Sequence, residues 1–288
     1  MTTLGFQTAL ARLLVEPALR ERWSVDPDTV ASDLSLTIRE REMLAAVDPG
    51  RLDFTAGGIA RARSRTLKRM FAATLRAIGD PPTADRLVSE FVRSVVPLAA
   101  RDEATKWIKE GDRFVEYLSH VAAAGDVPTP LAELARLEWL RAELRYSPDA
   151  ARSAEHVHRH HDPTTPPAVT TVLRLAAHVR VVRFDADVLA LAAGRAPAQA
   201  GPTCLALASR PDGTVRTYRL SPQAHDLYQA CDGQYTVAAL TATGPSDAAD
   251  LLTTAWAHGL VRDAAPTGCL GTCEPRPDPP APDQERPR

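Results

Sequence analysis

The stretch LSPQAHDLYQACDGQYTVAAL, residues 220–240, contains complete signals for two short helices separated by a turn. Ser221 is a typical N-cap, and Pro222 suits the first helical position, where a backbone N–H would have no helical partner. Gly233 is predicted to end the first helix and Thr236 to cap the second. The apolar face of the first helix, at helical spacing, consists of Ala224, Leu227, Tyr228 and Cys231.

The residues on either side of this stretch complete a recognisable order of elements. Upstream, the β-rich runs TCLALAS and TVRTYRL flank RPDG (Arg210–Gly213), and such a turn between such runs predicts a hairpin. Two earlier runs, VTTVLRLAA and HVRVVRF, also have strand composition. Downstream, Ser246 is predicted to cap a third helix that Gly259 closes. Strands, a hairpin and three helices predict a winged helix-turn-helix.

The first half of the chain has helical periodicity, and we expect no strand before about residue 165. Either Ser35 or Thr37 caps one helix, with Glu40 in its first turn. One long helix is predicted from Phe54 to Gly79, ahead of two prolines. Apolar residues recur at intervals of three and four positions, which is typical of a helical bundle.

These patterns predict an α+β protein with two domains. Residues 1–150 are expected to form an N-terminal all-α helical domain. Residues 168–265 are expected to form a C-terminal winged helix-turn-helix domain with a small β-sheet. Between them, residues 151–167 are rich in histidine and proline and are predicted to be a linker. Residues 266–288 are predicted to be a disordered, proline-rich tail, because they offer almost no apolar side chains to bury.

Composition narrows the function only broadly. The 288 residues contain 34 Lys and Arg against 36 Asp and Glu, a net charge of -2 that argues weakly against a dedicated nucleic-acid binder. No apolar run reaches the ~18–20 residues needed to cross a membrane, and no signal-peptide pattern is present at the start, so we expect a cytoplasmic protein. Four scattered cysteines do not predict a disulfide framework.

Two groups of residues have some metal-binding character. Imidazoles at alternate positions of an ordered segment could share a metal ion, although a solvated linker is the simpler interpretation. Cys269 and Cys273 are separated by three residues rather than the two typical of zinc knuckles, and no second pair accompanies them. We predict no metal site. The histidine cluster is His156, His158, His160 and His161.

No catalytic motif stands out, so we do not expect an independent enzyme. The nucleophile elbow, the phosphate-binding P-loop, the H-E-x-x-H zinc motif and the dinucleotide fingerprint are all absent from the sequence. A basic cluster lies on the long helix, and all of its members except Arg63 lie broadly on one face. That face could meet an acidic surface or phosphates, but an ordinary solvated helix face is the simpler interpretation. The cluster is Arg61, Arg63, Arg65, Lys68, Arg69 and Arg76.

The C-terminal unit resembles the RiPP recognition element, a winged helix that binds the leader peptides of ribosomally made, modified peptides and is familiar from PqqD-like proteins. The resemblance lies in LSPQAHDLYQACDGQYTV (220–237), which is similar to the pattern L-x-P-x-A-x-x-L-x-x-C-D-G-x-x-T-V but has one more residue between Leu227 and Cys231, and in AHGLV (257–261). With FVEYL and LAELARLEWLRAEL in the helical half, the whole chain is similar to the partner proteins of multinuclear non-haem iron-dependent oxidative enzymes, including methanobactin partner proteins.

The resemblance implies a non-catalytic subunit rather than an enzyme. Such a subunit would bind the leader of a precursor peptide and present it to an iron-dependent oxidase, with which it would form a heterodimer. The resemblance implies no cofactor in this chain, because the iron would belong to the partner enzyme. It also implies that neither nucleic acid nor a membrane is a partner.

In this family the leader lies in a groove between the third strand and the third helix, which correspond here to residues 214–220 and 247–258. A leader can add a strand to an open sheet edge, while side chains on both walls select its sequence. The pattern leaves open which strand face meets the peptide, and Tyr218 and Leu220 could instead be core residues. The candidate peptide-binding residues are Val215, Arg216, Thr217, Tyr218, Arg219, Asp247, Asp250, Leu251, Thr254 and His258.

The sequence leaves two other functions as alternatives. The first is a transcriptional regulator whose third helix reads DNA, but SDAADLLTTAWAHG has no arginine or lysine with which to contact bases or phosphates. The second is an independent metalloprotein that uses the histidine cluster or the cysteine pair.

Overall fold

The computed structural model describes residues 4–97, 102–195 and 201–264. The protein mixes helix with antiparallel sheet, and most helices lie toward the N-terminus while the strands lie toward the C-terminus. The tail 266–288, with Cys269 and Cys273, falls outside the described residues. The helices that precede the first described strand are α1 (Leu4–Val15), α2 (Pro17–Val25), α3 (Pro27–Asp33), α4 (Ile38–Ala45), α5 (Pro49–Met70), α6 (Ala72–Ala77), α7 (Pro81–Ser94), α8 (Glu103–Ala123), α9 (Thr129–Tyr146) and α10 (Pro148–His160).

The second part of the chain alternates strands with short helices. The predicted hairpin is confirmed as β3 and β4, and the two earlier β-rich runs as β1 and β2. The elements are β1 (Val172–Leu175), β2 (Val179–Phe184), α11 (Val188–Ala192), β3 (Thr203–Ser209), β4 (Val215–Leu220), α12 (Pro222–Gln229), β5 (Asp232–Thr236), α13 (Val237–Thr243), α14 (Ala248–Ala257) and β6 (Val261–Asp263).

Several helix boundaries follow directly from local signals in the sequence. Thr37, rather than Ser35, caps α4, and its side chain and that of Glu40 form a reciprocal capping box. Ser221 and Thr236 cap α12 and α13 by accepting hydrogen bonds from backbone N–H groups in the first turn. These caps were predicted correctly because each satisfies otherwise unpaired N–H groups within three residues along the chain.

The predicted long helix is broken in two, which corrects its boundaries. It begins at Pro49, because Asp48 accepts hydrogen bonds from the next turn, and ends at Met70. Phe71 leaves helical geometry (φ -108°, ψ 36°) and is fully buried, with its ring 4.8 Å from that of Phe114. The carboxylate of Glu138 on α9 then accepts hydrogen bonds from the first N–H groups of α6. A tertiary contact therefore makes the break possible.

The histidine-rich segment is helical as far as His160. The Ser147 hydroxyl accepts a hydrogen bond from Ala150 N (3.3 Å), and Pro148 occupies the first helical position of α10. Ala150 and Ala154 are buried, so packing stabilises a helix that its polar composition does not suggest. The segment after His160 is irregular up to β1.

Two further expectations, the end of α12 and the cap of α14, were wrong. Helix α12 ends at Gln229, well before Gly233, and residues 232–236 form strand β5, which pairs with the distant β1. Ser246 does not cap α14, because Asp247 holds the N-cap position and the Ala248 N–H donates to the Pro245 carbonyl (2.9 Å). Sequence-distant pairing and a backbone bond thus replace local signals.

The strands form two three-stranded antiparallel sheets, β5-β1-β6 and β2-β3-β4. Every residue of β3 is buried, because α9 packs against one face of its sheet and α12 against the other. One core cluster joins Leu137 and Leu140 of α9 to Leu205 and Leu207 of β3. The division into two domains at 151–167 stays a prediction, but the apolar core is continuous across it.

Candidate peptide-binding surface

Strand β4 has an open edge. Within the described residues it pairs with β3 alone, so β4 forms one border of its sheet. At the hairpin, the Arg210 N–H donates to the Thr214 carbonyl (2.8 Å). Because hydrogen-bonded and non-hydrogen-bonded pairs alternate along an antiparallel ladder, the backbone groups of Thr217 and Arg219 are directed away from β3. A further strand can be hydrogen-bonded along this edge.

The structure resolves which way the side chains of β4 face. Tyr218 and Leu220 pack, half-buried, against the core beneath α12 and α14, and the Arg216 guanidinium carbon lies 5.9 Å from the centre of the Tyr218 ring. Val215 packs instead against the core beneath α9. Since side chains alternate along a strand, Thr217 and Arg219 share the α9 side with Val215.

Helix α14 forms one flank of this strand. The Tyr218 ring lies 5.2 Å from that of His258, the residue that ends α14, so strand and helix meet at this point. Leu251 is half-buried against the core, and its carbonyl accepts a hydrogen bond from the Tyr228 hydroxyl (3.0 Å). Leu251 is therefore a packing residue. The predicted helix residues that are exposed are Asp247, Asp250, Thr254 and His258.

Helix α9 forms the other flank, which the sequence did not indicate. The Arg141 guanidinium donates to the Thr217 hydroxyl (3.2 Å). At the far end of β4, Arg219 forms an ion pair with Asp187 (3.2 Å), the residue that caps α11. Two of the predicted peptide-binding side chains are thus held by helices that precede the strand in the chain.

A cavity of about 690 Å³ lies beside this flank, between α5, α8, α9 and the start of β4. Its lining includes three arginines and two aromatic side chains. Sequence reasoning missed Arg141 and its neighbours because LAELARLEWLRAEL is an ordinary amphipathic pattern, in which an arginine is expected to face water. The cavity lining includes Arg69, Trp107, Arg141, Arg145, Tyr146 and Val215.

The histidine cluster lies on and just after α10. The rings of His156 and His160 are 4.8 Å apart, but His161 turns away and its Nε2 lies 2.6 Å from the Trp256 carbonyl oxygen. These residues border a second cavity, of about 650 Å³, while His158 is exposed. In the part of the chain that the structure describes, no three His, Cys, Asp or Glu side chains gather where they could hold a metal ion.

The basic cluster predicted on the long helix is divided among several different surroundings. Arg63 is buried, with its guanidinium 2.6 Å from Glu110, and it also donates to the Val92 and Val95 carbonyls. Arg61, Arg65 and Lys68 line a third cavity of about 480 Å³ between α5 and α7. Lys68 is paired there with Asp85 (2.6 Å). The other two members separate, because Arg69 borders the first cavity and Arg76 lies on α6.

The CDG motif at 231–233 is structural. Cys231 is buried in the core, and burial, with a smaller contribution from the Asp232 charge, raises the pKa of its thiol to about 12. A thiol with that pKa is not a nucleophile near neutral pH, because thiolate is the reactive form. Asp232 makes its hydrogen bond locally, to the Gln234 N–H (2.9 Å).

The candidate surface belongs to a chain without a membrane-spanning helix in its described ranges and without a match among known families. None of the helices in the described ranges combines the length and the apolar character that a membrane span requires. Comparison of the chain with models of known protein families finds no match, and a search of curated proteins finds none either.

Proposed function

We propose that this protein is a non-catalytic substrate-recognition subunit that binds the leader of a ribosomally made precursor peptide. In this proposal the leader adds a strand to the open edge of β4, and the subunit presents the rest of the precursor to an iron-dependent oxidase. The observation that supports it is the open edge of β4, bordered by exposed side chains of α14 on one side and by α9 on the other. The iron belongs to the partner enzyme.

The physical basis of recognition is strand addition. The outward N–H and C=O groups of β4 would supply hydrogen bonds that do not depend on the leader sequence, and each is worth about 0.5–1.5 kcal/mol net. Alternate side chains of the leader would then face α14 and α9, and these contacts would supply specificity. As part of this proposal, α12, α13 and α14 with the sheet β2-β3-β4 act as a winged-helix peptide-recognition module.

The charge of α14 favours a peptide over DNA as the ligand. The helix has no lysine or arginine, and Asp247 and Asp250 are exposed at its N-terminal end. A recognition helix in a major groove would bring these carboxylates toward phosphates, which are of like charge. Salt-dependent binding of duplex DNA would support the regulator instead.

The first experiment tests partnership. The proposal predicts that an iron-dependent oxidase and a short precursor peptide are encoded beside this gene; the chain is co-expressed with that oxidase, and the purified complex is titrated calorimetrically with that peptide. We expect a stable heterodimer and a dissociation constant in the micromolar range or below. Absence of both the complex and peptide binding would overturn the proposal.

The second experiment tests the mode of binding with a matched pair of variants. Thr217→Pro removes an outward backbone N–H without removing a bond to β3, and proline is tolerated at strand edges. Thr217→Val keeps that N–H and removes only the hydroxyl. We expect Thr217→Pro to abolish peptide binding and Thr217→Val to retain it, with both variants folded by circular dichroism. Equal binding by the two variants would exclude strand addition at this edge.

A further inference from the structure

We propose that the 690 Å³ cavity beside α9 is a specificity pocket for an acidic side chain, aspartate or glutamate, of the peptide strand that adds to β4. This inference rests on the proposed function and deepens it, because it states which leader chemistry the surface selects. It also places part of the recognition site on the helical half of the chain, outside the groove between β4 and α14.

The position of the cavity follows the geometry of the strand. Val215 lines the cavity, and Thr217, on the same face, accepts a hydrogen bond from Arg141 of the cavity wall. A strand added to the edge continues the pleat, so every second side chain projects to the same side as Val215 and Thr217. Side chains of the added strand near this end of β4 would therefore be directed toward the cavity.

The cavity holds a partly buried positive charge that lacks a carboxylate partner. In the described part of the chain, Arg141 makes one hydrogen bond, to the neutral Thr217 hydroxyl, and no ion pair. Burial lowers the pKa of its guanidinium, against the raising effect of the nearby Glu138 charge. Burying an arginine without a carboxylate partner costs free energy because the cation loses its hydration. An incoming carboxylate would offset part of that cost.

The carboxylates already at the cavity do not fill this role. Glu138 lines it, but its two oxygens accept hydrogen bonds from Ala73 N, Thr74 N and the Thr74 hydroxyl, at 2.7 to 2.9 Å. Glu103 is exposed at the margin and is paired with Lys106 (3.4 Å). Arg69 and Arg145 add two further positive charges to the lining. The cavity is thus complementary to an anion.

Aromatic side chains at the same cavity suit a peptide rather than a free inorganic anion. Trp107 is half-buried in the wall and Tyr146 is 51% exposed at its margin. Aromatic surface of this kind packs against the aliphatic parts of a peptide and is enriched at binding sites. A carboxylate on a short aliphatic stem, carried by an extended backbone, would use both properties.

The test uses a displayed library of random peptides of about 12 residues, longer than a typical strand. The library is selected on the full chain, on Arg141→Gln, and on the matched control Arg65→Gln, whose arginine is exposed on α5 away from this cavity. We expect the wild-type chain and the control to enrich peptides with Asp or Glu at one fixed position. The Arg141→Gln variant should still enrich peptides, but without that preference.

The possible outcomes separate this inference from the proposed function. Enrichment by the wild-type chain with no acidic preference would overturn the pocket and leave strand addition standing. If the wild-type chain, like Thr217→Pro, enriched no peptide, both the pocket and strand addition would be overturned. An acidic preference that survives in Arg141→Gln would place the carboxylate elsewhere and overturn the pocket.

A second measurement quantifies the contact. One enriched peptide and its Asp→Asn or Glu→Gln analogue are titrated against wild type and Arg141→Gln by Trp fluorescence. Loss of a charge-assisted hydrogen bond predicts that the acidic peptide binds Arg141→Gln about 10- to 100-fold more weakly. The amide analogue should bind both proteins equally, and equal losses for the two peptides would show that Arg141 is not the partner of the acidic side chain.

Discussion

Arg63 and Arg141 are both at least partly buried arginines, but they differ in their hydrogen-bond partners. The region around each places a long cationic side chain of a helix against other helices. Arg63 is 3% exposed, and Glu110 and the carbonyls of Val92 and Val95 accept its N–H groups. Arg141 has a neutral hydroxyl as its partner and faces a cavity. The chain thus supplies several acceptors to the guanidinium of Arg63, and one neutral hydroxyl to that of Arg141.

The largest effect is expected from breaking the region that is fully paired. Arg63→Met removes one partner of a buried ion pair and leaves Glu110 unpaired, which costs about 3–5 kcal/mol. The free energy of unfolding, measured by urea denaturation, should fall by that amount.

Two comparisons make this prediction specific. Arg65→Met, on the exposed side of the same helix, should change the free energy of unfolding by less than about 0.5 kcal/mol. The double variant Arg63→Met/Glu110→Leu should recover part of the loss, because no charge remains buried. A single variant as stable as the wild type would show that the pair contributes nothing to the fold.

His178 is a third buried basic side chain, and unlike the two arginines it is neutral near pH 7. It is 4% exposed, and burial, together with the Arg262 charge, lowers its pKa from 6.5 to about 4. The lowered pKa means that the unfolded chain binds a proton at a higher pH than the folded chain does. The resulting stability is complete above pH 6.5 and is lost as the pH falls toward 4, by at most about 3 kcal/mol.

The measurement compares unfolding of the wild type and His178→Gln from pH 7 to pH 4. The carboxylates titrate equally in both proteins, so the difference between the two stability curves reports the titration of His178. The wild type should lose its advantage over the variant as the pH falls. Parallel curves would mean that burial does not lower the pKa of His178 in the folded protein.

A smaller effect is expected at Glu138, which stands between the two arginine regions. Glu138→Gln replaces one acceptor oxygen with an NH₂ group that opposes the N–H donors of α6, at a cost of about 1–3 kcal/mol. The exposed Glu116→Gln on α8 is the matched control and should be neutral. Thermal unfolding of the two variants decides; equal stability would show that α6 does not need its carboxylate cap.

The smallest effect on stability is expected at Arg141. This variant tests whether Arg141 differs from Arg63 in its contribution to the fold. Arg141→Gln loses a hydrogen bond to Thr217 but also a partly buried, unpaired charge, so the free energy of unfolding should change by less than about 1 kcal/mol. A loss as large as that of Arg63→Met, in the same urea denaturation, would make Arg141 a structural residue and remove the contrast.

The sequence predicts much of the fold because many of its determinants are local. The caps at Thr37, Ser221 and Thr236 act within one helical turn, and the hairpin turn acts within four residues. The strand β5 and the break at Phe71 escaped prediction because their partners, β1 and Glu138, are far away along the chain. The same distance separates Arg141 from Thr217, so half of the candidate site was missed.

By itself, the sequence determined that helices come first and strands later, and it determined the hairpin and the apolar face of α12, since hydrophobic periodicity and capping depend on neighbouring residues alone. Only the tertiary structure decided which face of β4 meets α9, which arginine is paired and which borders a cavity. Identical side chains, Arg63 and Arg141, acquire different roles because the cost of burying a charge depends on the acceptors that distant segments bring to it.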